Sequence, residues 1–188
     1  MDINQFAGWI ACSYQYKSDP LTHLKIQKLA FYSYGSILAA DMEHQLSNEI
    51  FEFQAWDHGP VNAELYNRFR AYGAKPIAEF PQPGSPPQAV AEILKDVVSI
   101  YGAFNAWSLR QQSHQERPWI DAHARGKGII PTAEIKAHFK RKFMSGSVMA
   151  PDYLFGLGSF RIDGIPIQNY PNLKSLASAV QRVVKDFK

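Results

Sequence analysis

Six histidines, one cysteine and a few adjacent polar pairs are what this 188-residue chain offers for chemistry. Asp57-His58 sets a carboxylate beside an imidazole, the composition of a general acid/base pair. Neighbouring side chains diverge along a backbone, however, and no G-x-S-x-G elbow supplies a nucleophile. His58 is therefore expected to hold a bend by donating hydrogen bonds. Ser113-His114-Gln115-Glu116 has the S-x-x-E form of a capping box, with Ser113 as the cap. Pro118 close behind offers an alternative helix start, at Glu116 or Arg117 with Pro118 in the first helical position. His23, His44, His58, His123 and His138 are scattered. With no H-E-x-x-H and one cysteine, no metal site is expected. Cys12 excludes an intramolecular disulfide. Nothing beside it marks a low thiol pKa, so it reads as structural. No glycine-rich phosphate loop occurs. Catalytic residues, cofactor and metal are all expected to be none, and the chain is read as a binding protein, not an enzyme.

The elements that position these residues follow from periodicity. Phe51 and Phe53 alternate with Glu52 and Gln54, which predicts a short strand. Gly59-Pro60 signals a turn, and Pro60 suits the first position of a helix. Val61, Leu65 and Phe69 then share one helical face, with Tyr66 and Tyr72 beside it. A strand is thus expected to end in a turn that launches a helix, with Trp56 and His58 at the bend. Before it, Ile3, Phe6, Ala7, Ile10, Ala11 and Tyr14 predict an amphipathic helix over 2–16, broken by Ser18-Asp19-Pro20. The next helix, 22–40, is apolar over much of its circumference and reads as a central buried element. Lys25 and Lys28 interrupt it, and their ammonium heads are expected to reach water.

The Pro-rich stretch from Pro76 to Pro87 reads as a loop inserted between helices of one domain. Val90, Ile93, Leu94, Val97 and Tyr101 predict a helix over 89–101, with Gly102 as its C-cap. Short helices follow over 106–112 and 118–124. Thr132 is expected to cap a last core helix, with Ile135, Phe139 and Phe143 inward and Lys136, Lys140, Arg141 and Lys142 outward. Asp163-Gly164 between apolar residues predicts a hairpin, and Leu173 to Phe187 a closing amphipathic helix.

Lys and Arg number seven against eleven Asp and Glu in residues 1–100, and thirteen against six in 101–188. The basic second half suits either a solvated surface or an acidic partner. The basic run 136–142 lacks accompanying base-reading polar residues, so nucleic acid is the disfavoured partner, and a nucleic-acid-binding regulator using the face from Arg110 to Lys142 stands as an alternative. No apolar run reaches membrane-span length, and the N-terminus does not read as a signal peptide. A cytoplasmic protein is expected. Trp56, Tyr66, Tyr72, Trp107 and Trp119 are core or contact residues. Periodicity assigns Tyr66 and Trp119 to the core and leaves Trp56 and Trp107 as candidate surface anchors.

Three stretches carry a resemblance: Leu24 to Tyr32 ("LKIQKLAFY"), Ala55 to Gly73 ("AWDHGPVNAELYNRFRAYG") and Leu109 to Trp119 ("LRQQSHQERPW"). In this order they resemble the Panacea domain family, over about residues 21–143. Ala30, Ser33, the 76–87 loop and the tail from Met144 depart from the pattern. The resemblance implies the antitoxin half of a bacterial or prophage-borne toxin–antitoxin system, acting by binding a cognate toxin encoded nearby. Delivery of that toxin to an ATP-dependent protease is the alternative it implies. Trp56, His58, Gly59, Pro60, Tyr66, Ser113, His114, Pro118 and Trp119 are the motif residues. Trp56, Trp107, Arg110, Lys136, Lys140 and Arg141 are the candidate partner-binding residues. The expected fold is mainly α: a single compact helical domain over 1–145 with a short strand before the HGPV turn, and an extension over 146–188 carrying a small hairpin and a helix.

Overall fold

The computed structural model of the protein describes residues 1–16, 18–46, 51–144, 161–162 and 165–166. Its centre is a helix, α2 (His23–Ala39), in which every residue from Lys25 to Ala39 is buried. Such all-round burial needs neighbours on all sides. They are α1 (Ile3–Ser13), α3 (Ala63–Phe69), α4 (Gln88–Tyr101), α5 (Ala106–Ser113) and α7 (Thr132–Met144), with α4 and α7 the most extensive. Aromatic contacts set the packing. Tyr32 stacks on Tyr101 of α4 with ring centres 4.1 Å apart, and Phe31 meets Phe139 of α7 edge-on at 5.7 Å. A Cβ at Gly35 would lie 2.6 Å from the Phe139 ring, so this glycine is what lets α7 come so close. The expected mainly α architecture is observed, with seven helices among the described residues.

α1 begins at a capping box. Asp2 accepts from the Gln5 amide at 2.7 Å, while the Gln5 side chain accepts from the Asp2 amide at 3.1 Å. It ends at Ser13, short of the expected Tyr16, because the tyrosines that follow leave it to tie down other segments. The Tyr14 hydroxyl donates to the Asp19 carbonyl and the Tyr16 hydroxyl to that of Ser99 on α4. Cys12, expected to be structural, is an exposed free thiol. The Pro-rich loop is laid along the fold rather than looping away. Ile77 donates to the Leu21 carbonyl at 2.9 Å, and Gly84 to that of Gln5 at 3.1 Å.

Three strands form a small antiparallel sheet in the order β2-β1-β3: β1 is Phe53–Trp56, β2 Gly59–Val61 and β3 Ile129–Ile130. The turn that was expected to launch a helix launches a strand instead. Trp56 faces Gly59 and Ala55 faces Pro60 across a hairpin, and the helix waits until Ala63. Pro60 lacks an N–H, which an edge strand does not need. Asn62 is the true N-cap, its side chain accepting from the Leu65 amide at 3.0 Å.

α6 (Arg117–Ala124) has Glu116 as its N-cap and Pro118 as its second residue, so the alternative start is adopted with Pro118 one position further in. Ser113 closes α5 and donates to the Arg110 carbonyl at 2.8 Å instead of capping a helix. Thr132 is the first residue of α7 rather than its cap. β4 (Arg161–Ile162) and β5 (Ile165–Pro166) pair antiparallel, as the Asp-Gly cue predicts. The inward side chain expected of Phe143 and the closing helix expected over 173–187 lie outside the described residues.

Candidate functional site

The β1–β2 hairpin is gripped from every element around it. Asp57 and His58 form the turn with ordinary negative φ, and Gly59 closes it at φ +92°, a left-handed value that favours glycine. A Cβ there would collide with Ser113 Oγ and lie 2.8 Å from Lys28 Nζ. From α5, the Arg110 guanidinium donates to His58 Nδ1 and to the Asp57 carbonyl, both at 3.2 Å. From α6, Trp119 Nε1 donates to the Trp56 carbonyl at 3.0 Å. The Asp57 carboxylate meets His123 Nε2 at 3.1 Å and Lys127 Nζ at 2.6 Å. Lys127 first, then His123, holds that carboxyl down at a pKa of about 2.

Below the turn lies Lys28. Its expected reach to water does not occur: the residue is fully buried, and Nζ donates to the Pro60 carbonyl at 2.9 Å. Burial, with the Arg110 charge adding to it, pushes its pKa well below the usual lysine range. Lys25 is equally buried and finds the Asp19 carboxylate at 2.5 Å and the Gly102 carbonyl at 3.0 Å. Gln27 completes the support by bonding both ways with the Asn62 backbone, at 2.9 and 3.1 Å. Two polar lysines in an otherwise apolar helix were the signal that this support existed, because a buried amine needs a built acceptor.

The candidate acid/base pairs come apart. The Asp57 carboxylate turns to Lys127 and His123, while His58 turns to Arg110 and accepts there, rather than donating as expected. His114 lies flat on Trp119, ring centres 4.1 Å apart and 3° from parallel. Burial first, then the charges of Arg110 and Lys28, lowers its pKa to about 4. Glu116, buried at the start of α6, instead meets His138 Nε2 at 2.6 Å and Lys142 Nζ at 2.7 Å. Lys142 therefore points inward, contrary to expectation, because a buried carboxylate draws it in. Among the described residues no group of three His, Cys, Asp or Glu side chains is placed to hold a metal ion. No helix among them is long and apolar enough to cross a membrane.

Beside the hairpin opens a groove of about 1090 Å³. One wall is the start of α2 with His23 and Gln27. Trp56, Asp57 and His58 come from the hairpin, Tyr66 and Arg70 from α3 and the turn after it, and Trp107 from α5. Trp56 and Tyr66 meet at 4.8 Å, and His23 meets Tyr66 at 5.0 Å, so the groove has a continuous aromatic surface. Tyr66, expected in the core, is half-buried here. Trp119 is in the core as expected, and Trp107 is 62% exposed, with the Arg110 guanidinium 5.4 Å over its ring.

The motif residues Trp56, His58, Gly59, Pro60, Tyr66, Ser113, His114, Pro118 and Trp119 thus gather around one hairpin. The candidate partner-binding residues do not form one surface. Trp56, Trp107 and Arg110 adjoin the groove. Lys136 and Lys140 bind Asp41, just past the other end of α2, a helix of seventeen residues spanning about 25 Å. Sequence reasoning missed His23, Arg70 and Lys127 as neighbours of the hairpin, since nothing local to those residues marks them.

Residues 26–120, half of the chain, match the family described as antitoxin SocA-like, Panacea domain. No curated protein and no solved structure matches the chain. The matched stretch spans the whole of the hairpin and both α3 and α5, and reaches into α6.

Proposed function

The chain belongs to the family of SocA-like antitoxins with a Panacea domain, and from that premise we propose that it neutralises a cognate toxin by binding it directly. Antitoxin action is the general role that the family name carries. The finer reading is stoichiometric occlusion: one folded surface covers the toxin in the cytoplasm, with no chemical step. An interface of about 1,600 Å² would be ordinary for such a complex. Residues 1–145 are the toxin-binding unit in this reading, and residues 146–188 an extension of it.

The observation that carries the reading is the family match over the residues that build the hairpin and most of its groove. The separation of Asp57 from His58 and of His114 from Glu116 supports a binding role, since each side chain is spent on holding the fold. No similar support favours a nucleic-acid surface on α7, where Lys136, Lys140 and Lys142 each have a carboxylate partner.

The test is growth rescue. The product of the adjacent open reading frame is induced in a bacterial host with and without this gene, and the two proteins are co-purified. Growth arrest by the neighbour, relieved by this chain, with co-elution at a fixed ratio, is the expected result. A neighbour that is harmless, or that never associates with this chain, would overturn the proposal.

A further inference from the structure

The charges at the groove identify what it fits. Its two acidic residues are already engaged, Asp19 with Lys25 and Asp57 with Lys127 and His123. Among the described residues the guanidiniums of Arg70, in its wall, and Arg110, beside Trp107, are not. Arg70 lines the groove, is exposed, and has no carboxylate partner among the described residues. Arg110 sits over the exposed Trp107 ring, and its polar contacts are an imidazole nitrogen and a backbone carbonyl, neither of which carries a negative charge to neutralise it. An aromatic trough with two uncompensated guanidiniums presents the two anchor types that dominate protein interfaces, aromatic residues and arginine. Guanidinium forks match carboxylates in geometry as well as charge. A nucleic acid strand would ask for a longer run of cations along its phosphates, and in the basic run on α7 the lysines are taken up by Asp41, Glu43 and Glu116.

We propose that this groove receives a segment of the cognate toxin in which a large aromatic or apolar side chain stands beside one or two carboxylates. The side chain enters between Trp56, Tyr66 and Trp107, and the carboxylates meet Arg70 and Arg110. This rests on the toxin-binding reading above and adds where the toxin is held and by which chemistry. Burying an aromatic side chain supplies area at low entropy cost, and the guanidiniums select the segment by charge.

The test uses the full chain and the full product of the adjacent reading frame, with affinity measured by calorimetry and rescue by growth. Trp107→Ala and Arg70→Glu alter exposed side chains, so their fold is expected to match the wild type by circular dichroism. Each is expected to weaken binding ~10-fold or more and to abolish rescue, as truncation of an interface anchor does. Lys140→Glu and Arg141→Glu on α7 are expected to bind within ~twofold of wild type. Suppressors of Arg70→Glu selected in the neighbour are expected to replace an acidic residue with Lys or Arg. Groove variants that bind and rescue like wild type would overturn the groove while leaving the antitoxin reading intact. Suppressors confined to non-acidic positions would overturn the carboxylate assignment. A wild-type chain that fails to bind its neighbour removes the antitoxin reading, and the groove assignment with it. Salt-dependent binding of a single-stranded oligonucleotide that Trp107→Ala abolishes, with the neighbour still bound, would assign the groove to nucleic acid instead.

Discussion

α7 and the groove both display cations, and they treat them in opposite ways. On α7, Lys136 is held by Asp41 at 2.8 Å and also by Glu43, Lys140 by Asp41 at 2.7 Å, and Lys142 by the buried Glu116 at 2.7 Å. At the groove, Arg70 and Arg110 have no carboxylate partner among the described residues, and the aromatic surface beside them is open. Density of charge along the sequence is greater on α7, yet charge left for a partner is greater at the groove. What a cation can offer depends on acids brought to it by the fold, and those acids lie far off in sequence. Lys140 and Asp41 are 99 residues apart.

The sharpest way to break this contrast is to remove the deepest of the α7 acids. Glu116→Ala takes away the carboxylate that both His138 and Lys142 face in the interior. Breaking a buried ion pair by deleting one partner costs about 3–5 kcal/mol. Urea denaturation is expected to show a loss of that size. A loss below ~1 kcal/mol would mean that the α7 cations do not rely on their acids, and the contrast with the groove would fail. On the groove side the corresponding variant is Gly59→Ala, which forces a side chain onto a φ of +92° and against Ser113 and Lys28. A backbone strained in this way costs about 1–3 kcal/mol. Because the hairpin turn must shift, affinity for the neighbouring gene product is expected to fall with stability, whereas Glu116→Ala should act on stability alone. Equal effects of the two variants on binding would erase the distinction between the regions.

Which of these features could be read from the sequence follows from how local their causes are. The circumference of α2 is apolar over consecutive residues, so its central position was legible. So was the hairpin at Asp163-Gly164, whose turn chemistry sits in two adjacent residues. Pro60 misled because two local roles suit it equally, the first turn of a helix and an edge strand, and only pairing with Ala55 decides between them. Lys25 and Lys28 were read as snorkelling because their acceptors, Asp19 with the Gly102 carbonyl and the Pro60 carbonyl, are supplied by segments outside the helix. β3 is two residues long and carries no periodicity of its own. The groove was illegible for the same reason: its residues come from α2, the hairpin, α3, the turn after it and α5, and meet only in the folded chain. The three motifs, by contrast, were visible, but not that they converge on one turn.

A smaller effect distinguishes the regions by pH. His114 stacks on Trp119 beneath the hairpin, and its folded pKa of about 4 lies below the ordinary histidine value of 6.5. Between those values the unfolded chain binds the proton and the folded chain resists it, so stability falls as pH drops from about 6.5 toward 4. Arg110, Lys28, His123 and His58 all oppose protonation there, and His23, also lowered by burial, adds to the same slope. His114→Phe keeps a flat ring on Trp119 without the titration. Urea midpoints measured across this window are expected to slope less in the variant than in the wild type. An unchanged slope would place the acid sensitivity elsewhere. Asp41 and Asp57, with pKa values held near 2 by their lysines, act only at lower pH: their contribution is present above the usual value of 3.8 and is lost as pH falls toward 2.

The smallest effect tests the α7 side of the comparison at its surface. Lys140 is half-exposed and shares the exposed carboxylate of Asp41 with Lys136. Solvent screens such pairs, and a second lysine remains on the same acid when one is removed. Lys140→Ala is therefore expected to leave the thermal midpoint indistinguishable from wild type and to leave affinity for the neighbouring gene product unchanged. Like Arg70, whose reversal is expected to abolish rescue, Lys140 is an exposed cation. The two residues differ chiefly in having a carboxylate within the chain, so a loss of rescue in Lys140→Ala would show that an existing ion pair does not remove a cation from recognition. That result would undo the rule that separates α7 from the groove, even with every stability measurement in agreement.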